Sequence, residues 1–126
     1  METVPANRTI VCLCGSTWFL PAFEVANRTE TLKGKIVLSV GVDLKARDLE
    51  LVQSTKSPEQ LDEIKKELDR LHKDKVRMAH EILVLDIDEP YKTGQSTTEE
   101  VELARSLGKR VRWWSEEGGK PRSTPS

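Results

Sequence analysis

Several features that would point to particular classes of protein are scarce in this sequence. Aromatic residues make up only 5% of the 126 residues, so there is little material for stacking single-stranded bases. Lys and Arg number 20 against 21 Asp and Glu, and without a basic excess we expect no nucleic-acid or membrane partner. The longest apolar run, Ile10–Cys14, is far shorter than the ~20 residues of a membrane span.

Motifs for secretion, disulfides, metals and phosphate loops are also missing. Met1–Arg8 has no apolar stretch of the signal-peptide type, so a cytoplasmic location is expected. Cys12 and Cys14 stand two apart in an apolar stretch, where they face the same side of a strand and are expected to be reduced. No further Cys or His pair has zinc-binding spacing, and GxxxxGK[ST] is absent. We therefore expect no metal and no cofactor.

Charged residues, at 33% of the chain, concentrate in one predicted helix that follows Ser57. Ser57 is a suitable N-cap, Pro58 suits the first helical position, and Gln60 completes a capping box. One apolar stripe at helical spacing is predicted to face the core: Leu61, Ile64, Leu68, Leu71 and Met78. The charges then form the solvated face of this helix.

The remaining pattern alternates short apolar runs with helical segments. The predicted strands are Thr9–Cys14, Lys35–Val40, Ile82–Ile87 and Arg110–Trp114, and further helices are predicted over Trp18–Lys33 and from Ser96 to Gly108. This order predicts an α/β, Rossmann-like (flavodoxin-like) parallel sheet of about four to five strands, in the order 2-1-3-4, with helices on both faces. We expect a single domain over residues 1–114 and a disordered tail over residues 115–126.

In such a sheet, ligands bind where the strand order reverses, outside the carboxyl ends of strands 1 and 3. Gly15, Ser16 and Thr17 follow strand 1 and offer backbone N–H groups, hydroxyls and a helix N-terminus, as an anion site or an ordinary N-cap. A similar run, Gly94, Gln95, Ser96 and Thr97, begins the last helix. The two segments are predicted to face each other across one crevice.

Acidic residues and one histidine are the candidate catalytic groups. Glu100 has two interpretations: the third helical position of a Thr97 capping box, or an ionised carboxylate that serves as nucleophile. Asp86 and Asp88, at the end of strand 3, can bind hydroxyls or share a proton. His72 is either a residue at the edge of the apolar stripe or a proton donor.

Two segments carry a resemblance to a known family. L-C-G-S-T at the end of strand 1, and G-Q-S-T-T-E-E-V-E-L-A-R-S-L-G-K-R-V, resemble the nucleoside 2-deoxyribosyltransferase-like superfamily, including its nucleotide N-glycosidase branches. The resemblance implies that Glu100 attacks C1′ of the sugar of a nucleoside or nucleotide. It also implies that Gly15 and Ser16 contact the sugar or its 5′ group, and that Gly94 and Ser96 bind the 5′ hydroxyl or phosphate. Members often complete the site with a neighbouring subunit, so a homodimer or larger homo-oligomer is expected.

The chain departs from that family at His72, which stands where members carry an aspartate, and at Trp18 and Phe19 in the first loop. The departure at His72 favours an alternative, a catalytically inactive nucleotide-binding or sensing module with the same crevice. A third interpretation, by analogy of fold, is a site for an NAD- or ADP-ribose-type ligand. Trp113 and Trp114 are expected in the sheet core or in a subunit interface.

Overall fold

The computed structural model describes residues 7–15, 20–41, 57–86 and 95–118. In these ranges the strands are β1 (Ile10–Gly15), β2 (Ile36–Leu38), β3 (Glu81–Leu85) and β4 (Arg110–Trp113). The helices are α1 (Leu20–Leu32), α2 (Pro58–Met78) and α3 (Gln95–Ser106), and a 3-10 helix covers Trp114–Glu117. No helix in this part of the chain is long and apolar enough to cross a bilayer.

The four described strands form one parallel sheet in the order β2-β1-β3-β4, as the sequence predicted. The central pair runs in register from Val11 opposite Glu81 to Gly15 opposite Leu85. Gly15 has φ 152°, and a Cβ placed there would lie 3.1 Å from the Leu85 carbonyl oxygen. A glycine at this position therefore lets β1 and β3 stay paired to their carboxyl ends.

Alternation along β1 divides the core into two layers. One layer packs with α1 and contains Val11, Leu13, Phe23, Ala26, Leu83 and Leu85. The other packs with α2 and α3 and contains Cys12, Cys14, Val76, Ala79, Ile82, Val84, Val101 and Ala104. Both cysteines are free and buried on this second side, as predicted. The helices thus cover both faces of the sheet.

Helix α2 begins as predicted but presents a different face to the sheet. The Ser57 hydroxyl accepts from the Gln60 N–H at 3.2 Å and the Gln60 side chain accepts from the Ser57 N–H at 2.8 Å, which confirms the capping box. The predicted stripe is wrong at its end, because Leu71 and Met78 are 48% and 64% exposed. The buried residues of α2 are instead His72 and Val76, which lie four residues apart on one face. The buried face is therefore displaced by one residue from the predicted stripe, from Leu71 to His72.

Regular secondary structure continues past residue 114, where the domain was predicted to end. The backbone turns into the 3-10 helix there, and Gly118 ends it with φ 95°. Trp113 packs against the core layer under α2 and α3, whereas Trp114 packs against the layer under α1. Both tryptophans therefore contribute to the sheet core, and the predicted tail begins too early; residues 119–126 lie outside the described residues.

A buried ionic cluster lies on the α1 side of the sheet. Arg112 of β4, 6% exposed, donates to Glu30 of α1 at 2.5 Å and to Glu81 of β3 at 2.6 Å. Lys35 reaches the same two carboxylates at 3.0 and 2.9 Å, and Glu117 of the 3-10 helix accepts from Arg112 at 2.5 Å. Burial opposes ionisation of Glu30, but the hydrogen bonds from Arg112 and the lysines prevail and lower its pKa to about 2.

Candidate functional site

A cluster of four reactive side chains occupies the layer between the sheet and the helices α2 and α3. β1 contributes Cys12 and Cys14, α2 contributes His72, and α3 contributes Glu100. Both cysteines are 0% exposed, His72 is 8% exposed and Glu100 is 5% exposed. Because Cys14 is the last residue but one of β1, the cluster lies near the carboxyl end of that strand, beside the point where the strand order reverses.

The distances within the cluster are short but most are not those of strong hydrogen bonds. The His72 Nε2 atom lies 3.5 Å from Glu100 Oε1 and 3.7 Å from Cys12 Sγ. The Sγ atoms of Cys12 and Cys14 and a ring nitrogen of His72 all lie within 4.8 Å of one another. Two thiols and one imidazole thus converge on one small volume, and the Glu100 carboxylate lies beside the imidazole.

The local charges shift the pKa of each member of this cluster. A hydrogen bond from Cys14, helped by His72, lowers the pKa of Cys12, while the same bond and burial raise that of Cys14. Burial disfavours protonated His72, but the Cys12 contact and the Glu100 charge outweigh it and raise its pKa. Burial raises the pKa of Glu100, against the effects of His72 and Cys14. The pKa of each member is therefore set by the other members as well as by burial.

The capping interpretation of Glu100 is wrong. Helix α3 begins at Gln95, two residues before Thr97, so Thr97 is a buried helical residue rather than the N-cap. Glu100 consequently lies in the second turn, where the helix dipole contributes less than in the first. Its carboxylate lies 3.5 Å from His72 Nε2 instead of returning to a cap. Glu99 does not serve a cap either, because it bonds to Lys73 at 2.6 Å and to Gln95 at 3.2 Å.

Asp86 lies just beyond β3 and is bound by the segment after β4. Its Oδ1 accepts from the Ser115 N–H at 2.8 Å, and its Oδ2 accepts from the Ser115 hydroxyl. Both carboxylate oxygens of Asp86 are thereby engaged by one residue of the 3-10 helix. Asp86 therefore binds the segment after β4 to the end of β3. Its role in proton transfer stays a prediction.

The other predicted site residues divide into those that are described and those that are not. Gly15 ends β1, Ser96 is a half-buried residue in the first turn of α3, and Thr97 is buried beside it. Ser16, Thr17, Asp88 and Gly94 lie outside the described residues. Their predicted contacts with a ligand stay predictions.

Sequence reasoning missed that the two cysteines belong to the same cluster as Glu100 and His72. The search for metal ligands used spacing along the chain, and His72 is 60 residues from Cys12. The signal that was available is topological. Cys12 and Cys14 face one side of the central strand, and that side is covered by the helix carrying His72 and the helix carrying Glu100.

No protein-family model matches the chain, and no curated protein matches its sequence. The fold and the contacts within the described ranges therefore carry the functional argument.

Proposed function

We propose that the protein cleaves the N-glycosidic bond of a nucleoside or nucleotide, or exchanges its base, with Glu100 as the nucleophile. The observation that carries the proposal is the pair formed by Glu100 and His72 near the carboxyl end of β1, with 3.5 Å between Oε1 and Nε2. A carboxyl group beside an imidazole can supply a nucleophile and a proton donor, which are the two groups that glycosyl transfer requires.

The reaction follows from these two groups. The Glu100 carboxylate oxygen forms a bond to C1′ while the bond from C1′ to the base nitrogen breaks, and His72 protonates the departing base. Water then attacks C1′, the ester bond breaks to return the Glu100 carboxylate, and the proton from water returns to His72. A second base in place of water gives exchange rather than hydrolysis.

The direct test is a base-release assay with a panel of nucleosides and nucleotides, read by chromatography. We expect free base from the unmodified protein and a loss of about 1,000-fold or more in Glu100→Gln. Glu102→Gln is the matched control, because Glu102 is an exposed carboxylate on the same helix. A mass increase on Glu100 by one pentosyl group after acid quench identifies the ester. Release that persists in Glu100→Gln would contradict the proposal.

The alternative, an inactive nucleotide-binding or sensing module, is favoured by one observation: the side chains of Glu100 and His72 are only 7% and 10% exposed. A sugar would reach a carboxylate this buried only after the site rearranged. The burial therefore favours ligand binding over direct attack on a sugar. The same panel separates the two functions. A ligand that raises the melting temperature while no base appears supports the module, and the expected homo-oligomer is tested in both cases by light scattering.

A further inference from the structure

We propose that Cys12, Cys14 and His72 form a buried site for a thiophilic divalent metal ion, with zinc as the ion of choice, and that the neighbouring Glu100 carboxylate moves in as the fourth ligand. The inference stands apart from the proposed function, because it concerns what the four side chains bind rather than what they transform. It also revises the expectation from sequence spacing that the chain has no metal site.

The first argument is the donor set. Two thiolates, an imidazole and a carboxylate are the ligand types that zinc takes in tetrahedral sites. Soft thiolates disfavour magnesium and calcium, which take oxygen ligands. The three ligand atoms of Cys12, Cys14 and His72 already lie within 4.8 Å of one another. Glu100 is not one of these three, but its Oε1 lies 3.5 Å from His72 Nε2, within reach of an ion held by the imidazole.

The second argument is the set of distances. Zinc bonds of about 2.3 Å to sulfur and about 2.0–2.1 Å to nitrogen place a tetrahedral S and N pair about 3.6 Å apart. The Cys12 Sγ to His72 Nε2 distance is 3.7 Å. The corresponding N and O pair is expected about 3.4 Å apart, and His72 Nε2 lies 3.5 Å from Glu100 Oε1. Both separations fit two ligands on one ion.

A direct ion pair would look different. Hydrogen bonds between an imidazolium and a carboxylate run at about 2.7–2.9 Å. The observed 3.5 Å is longer, although both side chains are almost fully buried, at 10% and 7% exposure. The side chains are close enough to share an ion and too far apart for their best direct bond.

The charge balance also favours a cation at this position. With both thiols and Glu100 ionised and His72 neutral, the ligands carry three negative charges, of which a divalent ion cancels two. Binding of the ion displaces the thiol protons and the imidazolium proton into solvent.

Because the four side chains are buried, the ion must enter while the chain folds or opens. The experiment therefore unfolds the full chain in guanidinium with chelator and reductant, and refolds it with one equivalent of Co²⁺ or Zn²⁺. We expect one metal ion per chain by elemental analysis, and for Co²⁺ the thiolate charge-transfer absorption and intense visible bands of a tetrahedral site. Zinc should displace cobalt and abolish both.

The chain offers a matched control, because it contains only two cysteines and two histidines. We expect Cys14→Ser and His72→Asn to weaken Co²⁺ binding by about 100-fold or more. His80→Asn should leave it unchanged, because His80 is exposed and its Nδ1 accepts from the Ile10 N–H, a role that an asparagine oxygen can fill. Any thiolate band must arise from Cys12 and Cys14.

The inference is overturned if the refolded, reduced protein holds no stoichiometric metal, or if its cobalt spectrum lacks thiolate absorption. These two readouts use the unmodified chain and do not depend on whether a variant folds. Equal weakening in His72→Asn and His80→Asn would also count against it. None of the readouts involves a nucleoside, so metal binding and base release can fail separately. Because a bound zinc ion would engage the Glu100 carboxylate, base release must be assayed in metal-free protein.

Discussion

The guanidinium of Arg112 on β4 donates to the carboxylate of Glu30 on α1 at 2.5 Å, across 82 residues of sequence. Both side chains are almost fully buried, at 5% and 1% exposure. The pair joins the last strand of the described sheet to the first helix. Replacing one member of such a buried cluster leaves the remaining charges without compensation. The stability of the protein is therefore far more sensitive to the loss of this pair than to the loss of a surface ion pair.

We expect acid to destabilise the protein through Glu30. Its folded pKa of about 2 lies below the value of 4.5 for an unperturbed glutamate, so its contribution is complete above pH 4.5 and is lost as the pH falls towards 2. Glu81 and Glu117, which share Arg112 with it, also have lowered pKa values and act in the same direction. Denaturant unfolding at several pH values measures this loss.

Glu30→Gln should flatten that pH dependence and lower the free energy of unfolding at pH 7 by about 3 kcal/mol. Glu67→Gln is the control, because Glu67 pairs with Arg70 on the surface, where the two side chains are 70% and 62% exposed. Its effect should stay within about 0.5 kcal/mol. Similar losses in the two variants would contradict the importance of the buried cluster.

Gly15→Ala should destabilise the protein by about 1–3 kcal/mol. The new Cβ would meet the Leu85 carbonyl oxygen at 3.1 Å and the Leu85 Cβ at 3.2 Å, at a positive φ of 152°. Gly41→Ala is the comparison, because no atom of the described residues lies within 4 Å of a Cβ there. Thermal unfolding of both variants should show a loss only for Gly15→Ala; no loss there would mean that β1 and β3 separate before Leu85.

Asp86 and Ser115 should show energetic coupling. Asp86→Ala leaves the Ser115 N–H without its partner, and we expect a loss of about 1–3 kcal/mol. Ser115→Ala removes only the hydroxyl and should lose about 1 kcal/mol. A double-mutant cycle tests the contact: the double variant should lose less than the sum of the single ones. Strict additivity would mean that the two residues act independently.

The face of α2 can be tested with two truncations. Val76→Ala removes methyl groups from a 0% exposed position and should lower stability by about 1–2 kcal/mol. Leu71→Ala removes more carbon from a side chain that is 48% exposed, and should have the smaller effect. A larger loss for Leu71→Ala would restore the stripe predicted from sequence, or reveal a partner on that face.

The sheet was predictable because its strands are short apolar runs separated by glycines and capped helices, and right-handed crossovers leave few topologies. The capping box at Ser57 was predictable for the same reason, since it depends on residues three apart. The face of α2 was not, because a histidine occupied a core position and leucines near it fitted an equally regular stripe. Hydrophobic spacing alone cannot recognise a polar residue that is buried with partners from other elements.

The contacts of Arg112 and of the cysteine cluster could not be predicted from sequence, and the reason is physical. Nothing in the neighbouring sequence distinguishes Arg112 from the other basic residues among the 20. Its burial depends on partners that the packing of α1 and β3 against β4 brings to it. His72 and Glu100 were singled out, but as parts of a sugar site. Their contact with Cys12 and Cys14 depends on which helices cover which face of β1.

The position of Arg112 has a consequence for the order in which the molecule is made. A ribosome releases Glu30 first, then Glu81, and the arginine that neutralises both only 31 residues after the second. Until β4 emerges, Lys35 contacts both carboxylates and Lys33 contacts Glu30, but the guanidinium that joins them to Glu117 is missing. Completion of this buried cluster therefore awaits β4, and synthesis halted before it yields a chain that chaperones and proteases can still reach.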